Sequence, residues 1–418
     1  MRQNVYRETI TGLAFAITLA LTVLAIPPAQ AQTFNVIYSF TGHASSEFPI
    51  AGVTLDQHGD LIGTTSSGGE YDGGTVFELK PTTGGWIYQD LHDLGSGEDG
   101  SFPWGGITIG RDGSLYGTTY TGGTLGHGII FNLRPPATIC RSVACPWDET
   151  VLYNFMRADD GGDPQAGVVF DASGNFYGTV VNGGAGNSGV VYEMMPSGGG
   201  WSYHVLYPFT GGQDGASPDS LLLFDQAGNL YGSALSGGAP GCQGFGCGTI
   251  FKLSPLGSGW VEQTLYAFTD GTDGANPESG VVMDSSGNIY SATGGTDAAP
   301  GGTVLELSPE GGDWTFNLIE DLSGAGPGPT NNLLRDSAGN LYGTTWGDGA
   351  YGHGNVFKLT PTANGWLYTS LHDFTGGADG GNAEGALIMD SSGNIYGTTY
   401  QGGLQSCGFC GVVFAISP

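Results

Sequence analysis

Three features of the sequence predict an all-β fold, a seven-bladed β-propeller of four-stranded antiparallel blades. A turn of the form Asp-x-x-Gly-Asn recurs seven times, a Gly-led apolar strand follows each turn, and the chain stops one strand short of a complete seventh unit. The turns start at Asp56, Gly110, Asp171, Asp225, Asp284, Asp336 and Asp390, so successive units are 52 to 61 residues long. A period of that size suits a four-stranded propeller blade, since kelch units run ~50 residues.

Each unit reads as four strands. The first is the run before the turn, as in GVVFD from Gly167 or GVVMD from Gly280. The turn reverses the chain, with Gly taking positive φ and Asp capping nearby amides. The second strand is Leu-Tyr-Gly-Thr-Thr or a variant, at Leu115, Phe176, Leu230, Leu341 and Ile395. A Gly-rich loop leads to the third, such as GTVFEL at Gly74, GTIFKL at Gly248 and GVVFAI at Gly411, and a proline is expected to end it in every copy. The fourth opens with Trp and carries large apolar residues five and eight positions on, as in Trp201, Leu206 and Phe209.

The chain ends choose a closed ring over an open array. The last copy stops at Pro418, after strand three, while the first copy is preceded by an orphan strand, FNVIYSF, at Phe34 to Phe40. Its Ile37 and Phe40 match the apolar positions of a strand four, and the Trp position falls on Gln32. Pairing the orphan strand into the seventh blade closes the ring and removes the exposed edges that invite aggregation. An open solenoid would need capping repeats, and none is visible.

Residues 1–31 read as a cleaved signal peptide rather than a retained anchor. Arg2 and Arg7 give a basic start, Leu13 to Ile26 is an uncharged apolar run, and Ala29-Gln30-Ala31 supplies a small-x-small cleavage site. The run is shorter than the ~20 residues of a spanning helix. The 387 residues of 32–418 exceed an ordinary single core, so the core has to be modular. Gly is 79 of 418, far above the usual ~7%, but apolar residues recur regularly between the glycines, which means short strands and turns rather than disorder.

Net charge is −29, or about −30 once Arg2, Arg7 and Glu8 are removed. Such a surface repels phosphate backbones, which excludes nucleic acid, and accommodates divalent cations or a cationic partner. Six cysteines form three close pairs, Cys140/Cys145, Cys242/Cys247 and Cys407/Cys410. In an exported chain these read as local disulfides. Only Cys407/Cys410 has metal-type spacing, and its neighbours are Gly and Phe.

The combination LYxFTGGxDGAxP, DxxGNLYGTT, GGxxxxGTVFKLxP and GW resembles the GloVer tandem repeat of exported bacterial proteins, over residues 33 to 418. Copies five and six depart from it: Ser291-Ala292-Thr293 replaces Gly-Thr-Thr, and GAGPGPTNN at Gly324 replaces GGxDGAxP. The resemblance implies export and a propeller-like array, sometimes surface-anchored, and carries no activity to named residues. The chain ends inside a strand, so no C-terminal sorting tail is expected.

Chemistry is expected on the face shared by the loops from strand four to strand one and from strand two to strand three. There an Asp-Gly recurs at Asp99, Asp160, Asp214, Asp273 and Asp379, with Ser45 and Ala325 in the other two copies. These aspartates either cap tight turns or offer oxygen ligands to Ca²⁺; capping is the expected role, since no loop has calcium-loop spacing, and no cofactor is called for. Trp86, Trp147, Trp201, Trp260, Trp314 and Trp366 belong to packing. Trp104 and Trp346, with Tyr120, Tyr351 and Tyr400, are candidate aromatic platforms for sugar rings or a protein partner, or are packed loop residues. His92 and His372 fall where other copies carry Tyr; His127 and His353 sit in Gly-His-Gly loops three blades apart. No nucleophile elbow, zinc-protease or phosphate-loop pattern occurs, and no catalytic residue is selected. The expected function is that of a secreted or periplasmic monomer, with no membrane span after cleavage. It would be a non-catalytic module binding a polysaccharide or cell-surface protein on the Gly-rich loop face. The alternative is a polysaccharide hydrolase or lyase using carboxylates of that face.

Overall fold

The computed structural model describes residues 32–42, 46–95, 97–136, 147–296, 299–322, 328–329, 331–404 and 410–418. The expected signal peptide, Cys140, Cys145, Cys407, Ser45 and Ala325 lie outside them. The described residues form seven four-stranded antiparallel sheets. Blade one is typical, with strands Val53–Leu55, Leu61–Thr65, Thr75–Thr82 and Gly85–Asp93 in that order. Five further blades repeat this pattern, and the seventh is composite.

In the seventh blade, Ile388–Met389, Ile395–Thr399 and Val412–Ser417 are completed by Thr33–Ser39. The closing pair runs antiparallel from Thr33 opposite Ser417 to Ser39 opposite Val412, with a register shift between Val36 and Tyr38. The same shift occurs between strands three and four of the other blades, for example at Val76/Phe77. The orphan strand is therefore a strand four in register as well as in place.

Each unit of the core lies between two blades rather than within one. Strand two is buried throughout, and strand three at its first five residues in blade one. One cluster packs Ile62, Val76, Leu91 and Leu94 of blade one against Ile107, Leu115, Ile129 and Phe131 of blade two. Another joins Phe40, Tyr396 and Val413 of the last blade to Leu61, Phe77 and Leu79 of the first, so apolar packing continues across the closure.

Strand three stops directly before Pro135 and Pro418, as expected, but its expected end needs correction in the other five copies. Pro81, Pro196, Pro255, Pro309 and Pro361 lie inside their strands, each paired with the strand-four Trp one hairpin step from the turn. Proline has no amide to give the ladder, so it is confined to strand ends and edges. Here it sits at the outer end of the blade.

Candidate functional site

The loop from strand four to strand one makes the site. Phe48, Phe102, Asp163, Ser217, Asn276 and Asn382 all have φ between +52° and +60°. A non-glycine residue pays for that conformation, and one that precedes proline, as the first five do, is normally extended. The cost is offset by a latch between blades. The Phe102 amide donates to the Gly73 carbonyl at 2.8 Å, Ser217 to Ser188 at 2.8 Å, Asn276 to Cys247 at 2.8 Å and, across the closure, Phe48 to Cys410 at 3.1 Å.

Two residues further on, the chain turns into the centre of the ring. Ile50, Trp104, Gln165, Asp219, Glu278 and Glu384, one from each of six blades, line a central cavity of about 790 Å³. That volume falls in the ~300–1,000 Å³ range of small-ligand sites.

The lining carries both aromatic and acidic side chains. Trp104, 37% exposed, stacks on Tyr120 with ring centroids 4.5 Å apart and planes 12° apart. Phe48 and Tyr400, also on the wall, stack at 4.7 Å and 24°. Asp219, Glu278 and Glu384 also line the cavity, as half-buried residues. Burial pushes Asp219 well above the usual carboxylate range, with Glu278 adding to the effect. Its Oδ1 is buried without a hydrogen-bond partner. Burial also raises Glu278 and takes Glu384 to about 7, where a hydrogen bond with Trp346 opposes the rise and Glu278 adds to it. The site therefore combines flat apolar faces with carboxyls that burial pushes up, Glu384 to about 7, a combination that can pack a sugar ring, hydrogen-bond its hydroxyls, or donate a proton.

Of the aromatic candidates, the fold brings Trp104 and Tyr400 to the cavity wall, with Tyr120 behind Trp104. Trp346 stands behind Glu384, and its carbonyl accepts from Asn382 Nδ2 at 2.8 Å. Tyr351, 62% exposed, is not part of the wall. The five aspartates lie in five separate loops, each engaged locally. The Asp214 carboxylate accepts from the Thr210 amide at 2.8 Å and the Tyr207 hydroxyl at 3.1 Å. Asp160, Asp273 and Asp379 repeat the pattern, with His372 in the tyrosine place for Asp379. Asp99 accepts from the Gly95 amide at 3.1 Å. His127 pairs with Asp163 at 3.5 Å within its own region. Cys242 and Cys247 form a disulfide with Cα atoms 5.2 Å apart, and Cys410 is also disulfide-bonded.

Sequence reasoning missed Asp219, Glu278 and Glu384. The signal was present at one loop position, which follows a proline in six copies and Ala383 in the seventh. Aligned copies there read Ile50, Trp104, Gln165, Asp219, Glu278, Thr330 and Glu384, almost a different residue in each, among otherwise repetitive neighbours.

The Gloeobacter/Verrucomicrobia repeat matches residues 20–145, 142–327 and 296–418. The chain belongs to this family. No curated protein matches it. Among solved structures, an ancestral GH74 enzyme aligns with a TM-score of 0.57 at 14% identity, covering 89% of this chain and 48% of that one. A PL25 ulvan lyase gives 0.51 at 10% identity, covering 90% and 94%. A protein from Lactobacillus plantarum gives 0.50 at 13% identity, covering 81% and 88%. At such identities the likeness is one of fold. Among the described residues of this repeat protein, no helix is long and apolar enough to cross a membrane.

Proposed function

We propose that this repeat protein is an exported glycan-binding module whose central cavity takes an oligosaccharide segment. One observation carries the reading: the repeat symmetry breaks at this loop position, and Trp104 and three carboxyls line a single cavity there. Trp104, backed by Tyr120, offers a ring-sized platform, and Asp219, Glu278 and Glu384 offer acceptors for hydroxyls. The basic, apolar and small-x-small pattern of residues 1–31 and the Cys242–Cys247 disulfide support export.

A second reading, hydrolysis or elimination on a polysaccharide, is favoured by Glu384. A carboxyl raised to about 7 is protonated often enough at neutral pH to serve as a general acid. The ulvan lyase, a polysaccharide lyase, shares this fold, without assigning its chemistry here.

The two readings separate in one experiment. Purified protein is tested against a polysaccharide panel by affinity electrophoresis, and the same mixtures are assayed for reducing ends and unsaturated products. Retardation without products is expected, lost in Trp104→Ala. Products abolished by Glu384→Gln would establish the enzymatic reading. Retardation that Trp104→Ala leaves intact would move the site away from the cavity.

A further inference from the structure

Neighbouring blades meet at their fourth strands through one recurring pair. It joins the residue six beyond the Trp position of one blade to the residue two beyond it on the next. At four interfaces both members are rings: Tyr38 on Tyr88 at 4.5 Å, Tyr153 on Tyr203 at 4.1 Å, Tyr266 on Phe316 at 4.8 Å and His372 on Phe34 at 3.6 Å. Between blades one and two the pair is His92 and Glu149. In three sibling blades the first member is a tyrosine whose hydroxyl donates to its loop aspartate, at 2.9 Å from Tyr153 to Asp160 and 3.1 Å from Tyr266 to Asp273.

His92 makes no such bond. Its Nε2 lies 3.7 Å from Asp99 Oδ2 and 3.8 Å from Glu149 Oε2, beyond hydrogen-bond distance. His92 Nε2 and Glu149 Oε1 are both buried without a hydrogen-bond partner. Orphaned buried polar atoms are rare and call for an explanation. One ligand atom from each of His92, Asp99 and Glu149 lies within 4.8 Å of the other two. Asp99 accepts the Gly95 amide through Oδ1 at 3.1 Å, which fixes the carboxylate with Oδ2 toward His92.

We propose that His92, Asp99 and Glu149 form a divalent metal site of the Zn²⁺ class that clamps blade one to blade two. Separations of 3.7 and 3.8 Å are close to those of ligands sharing an ion held ~2.0–2.2 Å from each. An imidazole nitrogen in the set selects Zn²⁺ or a similar transition metal over Ca²⁺ and Mg²⁺, which prefer all-oxygen shells. Three protein ligands leave the fourth position of a tetrahedron to water. The ligands come from two blades, so the ion would stand where four of the other interfaces stack two rings.

The test uses untagged chain stripped with dipicolinate, titrated with Zn²⁺ by calorimetry and melted with Zn²⁺, Mn²⁺ or Ca²⁺. One Zn²⁺ per chain and a Zn²⁺-dependent rise in Tm are expected. His92→Tyr installs the residue of four sibling blades, Tyr38, Tyr153, Tyr207 and Tyr266, so it should fold and lose that rise. Glu149→Gln gives an independent reading. Loss of an outer-shell partner weakens a metal site ~10–100-fold, and a direct ligand should cost no less. Absence of the rise in the wild-type chain, its persistence in either folded variant, or an equal rise with Ca²⁺ would overturn the assignment.

Discussion

Each residue of the Gly-Thr-Thr triplet in strand two has a separate task. A Cβ on Gly232 would sit 2.7 Å from the Phe251 ring, and one on Gly343 would sit 2.5 Å from Phe357, so glycine makes room for the strand-three aromatic. In blades two, three and four the next hydroxyl bolts the following blade, as when Thr118 Oγ1 donates to the Ala166 carbonyl at 2.8 Å. The last fastens the bend into strand three, as in the Thr293–Thr303 bond of 2.9 Å. Copy five carries Ser291 for the glycine and also Leu305 for the aromatic, opposite it in the ladder. The departure was visible in the sequence; its compensation was not, because the partner is defined only by cross-strand register. Gly232→Ser alone should therefore cost about 1–3 kcal/mol through overpacking. Combined with Phe251→Leu it should cost less than the two single changes added, with a coupling of roughly 1 kcal/mol or more. Urea unfolding of the four proteins measures this, and an additive cycle would contradict it. Asp214→Ala leaves the Thr210 amide and Tyr207 hydroxyl without their acceptor and should cost about 1–3 kcal/mol. Asp160, Asp214, Asp273 and Asp379 are occupied by local donors, so Ca²⁺ should leave the melting curve of the intact chain unchanged.

At the scale of elements, the loop entering strand one and the glycine opening strand three form one joint. Gly248 has φ +93°, and a Cβ there would lie 2.4 Å from Pro277 Cδ of the next blade and 2.6 Å from the Ala234 carbonyl. The same proline contact recurs at Gly74, Gly128, Gly189 and, across the closure, at Gly411 with Pro49. Gly257 shares a positive φ, +62°, but a Cβ there meets nothing within 4 Å. Gly257→Ala should then cost only the left-handed penalty of ~1–2 kcal/mol. Gly248→Ala adds backbone and proline clashes and should cost clearly more, enough to lower soluble yield. Comparable melting temperatures for the two variants would show that the joint is not tight. Strands, turns and the strand-four Trp were legible because hydrophobic period and turn chemistry are local. The cavity wall was not, since loop residues such as Glu278 and Glu384 follow no alternation. Only the latch, which sets the chain direction after Asn276 or Asn382, turns them inward.

For the molecule as a whole, pH and ring closure act on all seven blades together. In Asp225, Asp284, Asp336 and Asp390, burial pushes the carboxyl up, but bonds from the turn amides, the following Asn and a Tyr hydroxyl outweigh it and leave a net lowering. Their folded values lie below the unfolded ~3.9, so their stabilisation is present above about pH 4 and is lost as pH falls through the lowered values. Burial raises Glu262 and Glu384 to about 7. Such groups favour the fold fully below the unfolded ~4.3, and that contribution is lost as pH rises to the folded values. Tm should therefore peak in mildly acidic buffer and decline toward pH 8, with the decline reduced in Glu262→Gln; a flat profile between pH 5 and 8 would contradict this. Ring closure depends on ten residues at one end of the folded region. Phe34 stacks on His372 at 3.6 Å, Tyr38 stacks on Tyr88 at 4.5 Å, and Phe40 is 1% exposed within the cluster joining the last and first blades. Removing residues 32–41 would leave one edge of Val412–Ser417 unpaired and expose apolar faces of two interfaces, leaving an edge able to recruit another chain. The truncated protein should melt markedly lower and self-associate in light scattering. A synthetic peptide of residues 32–41, added in excess, should restore both properties because it binds only the folded gap. A truncated chain that stays monomeric with the parent's melting curve would show that the seventh blade holds with three strands.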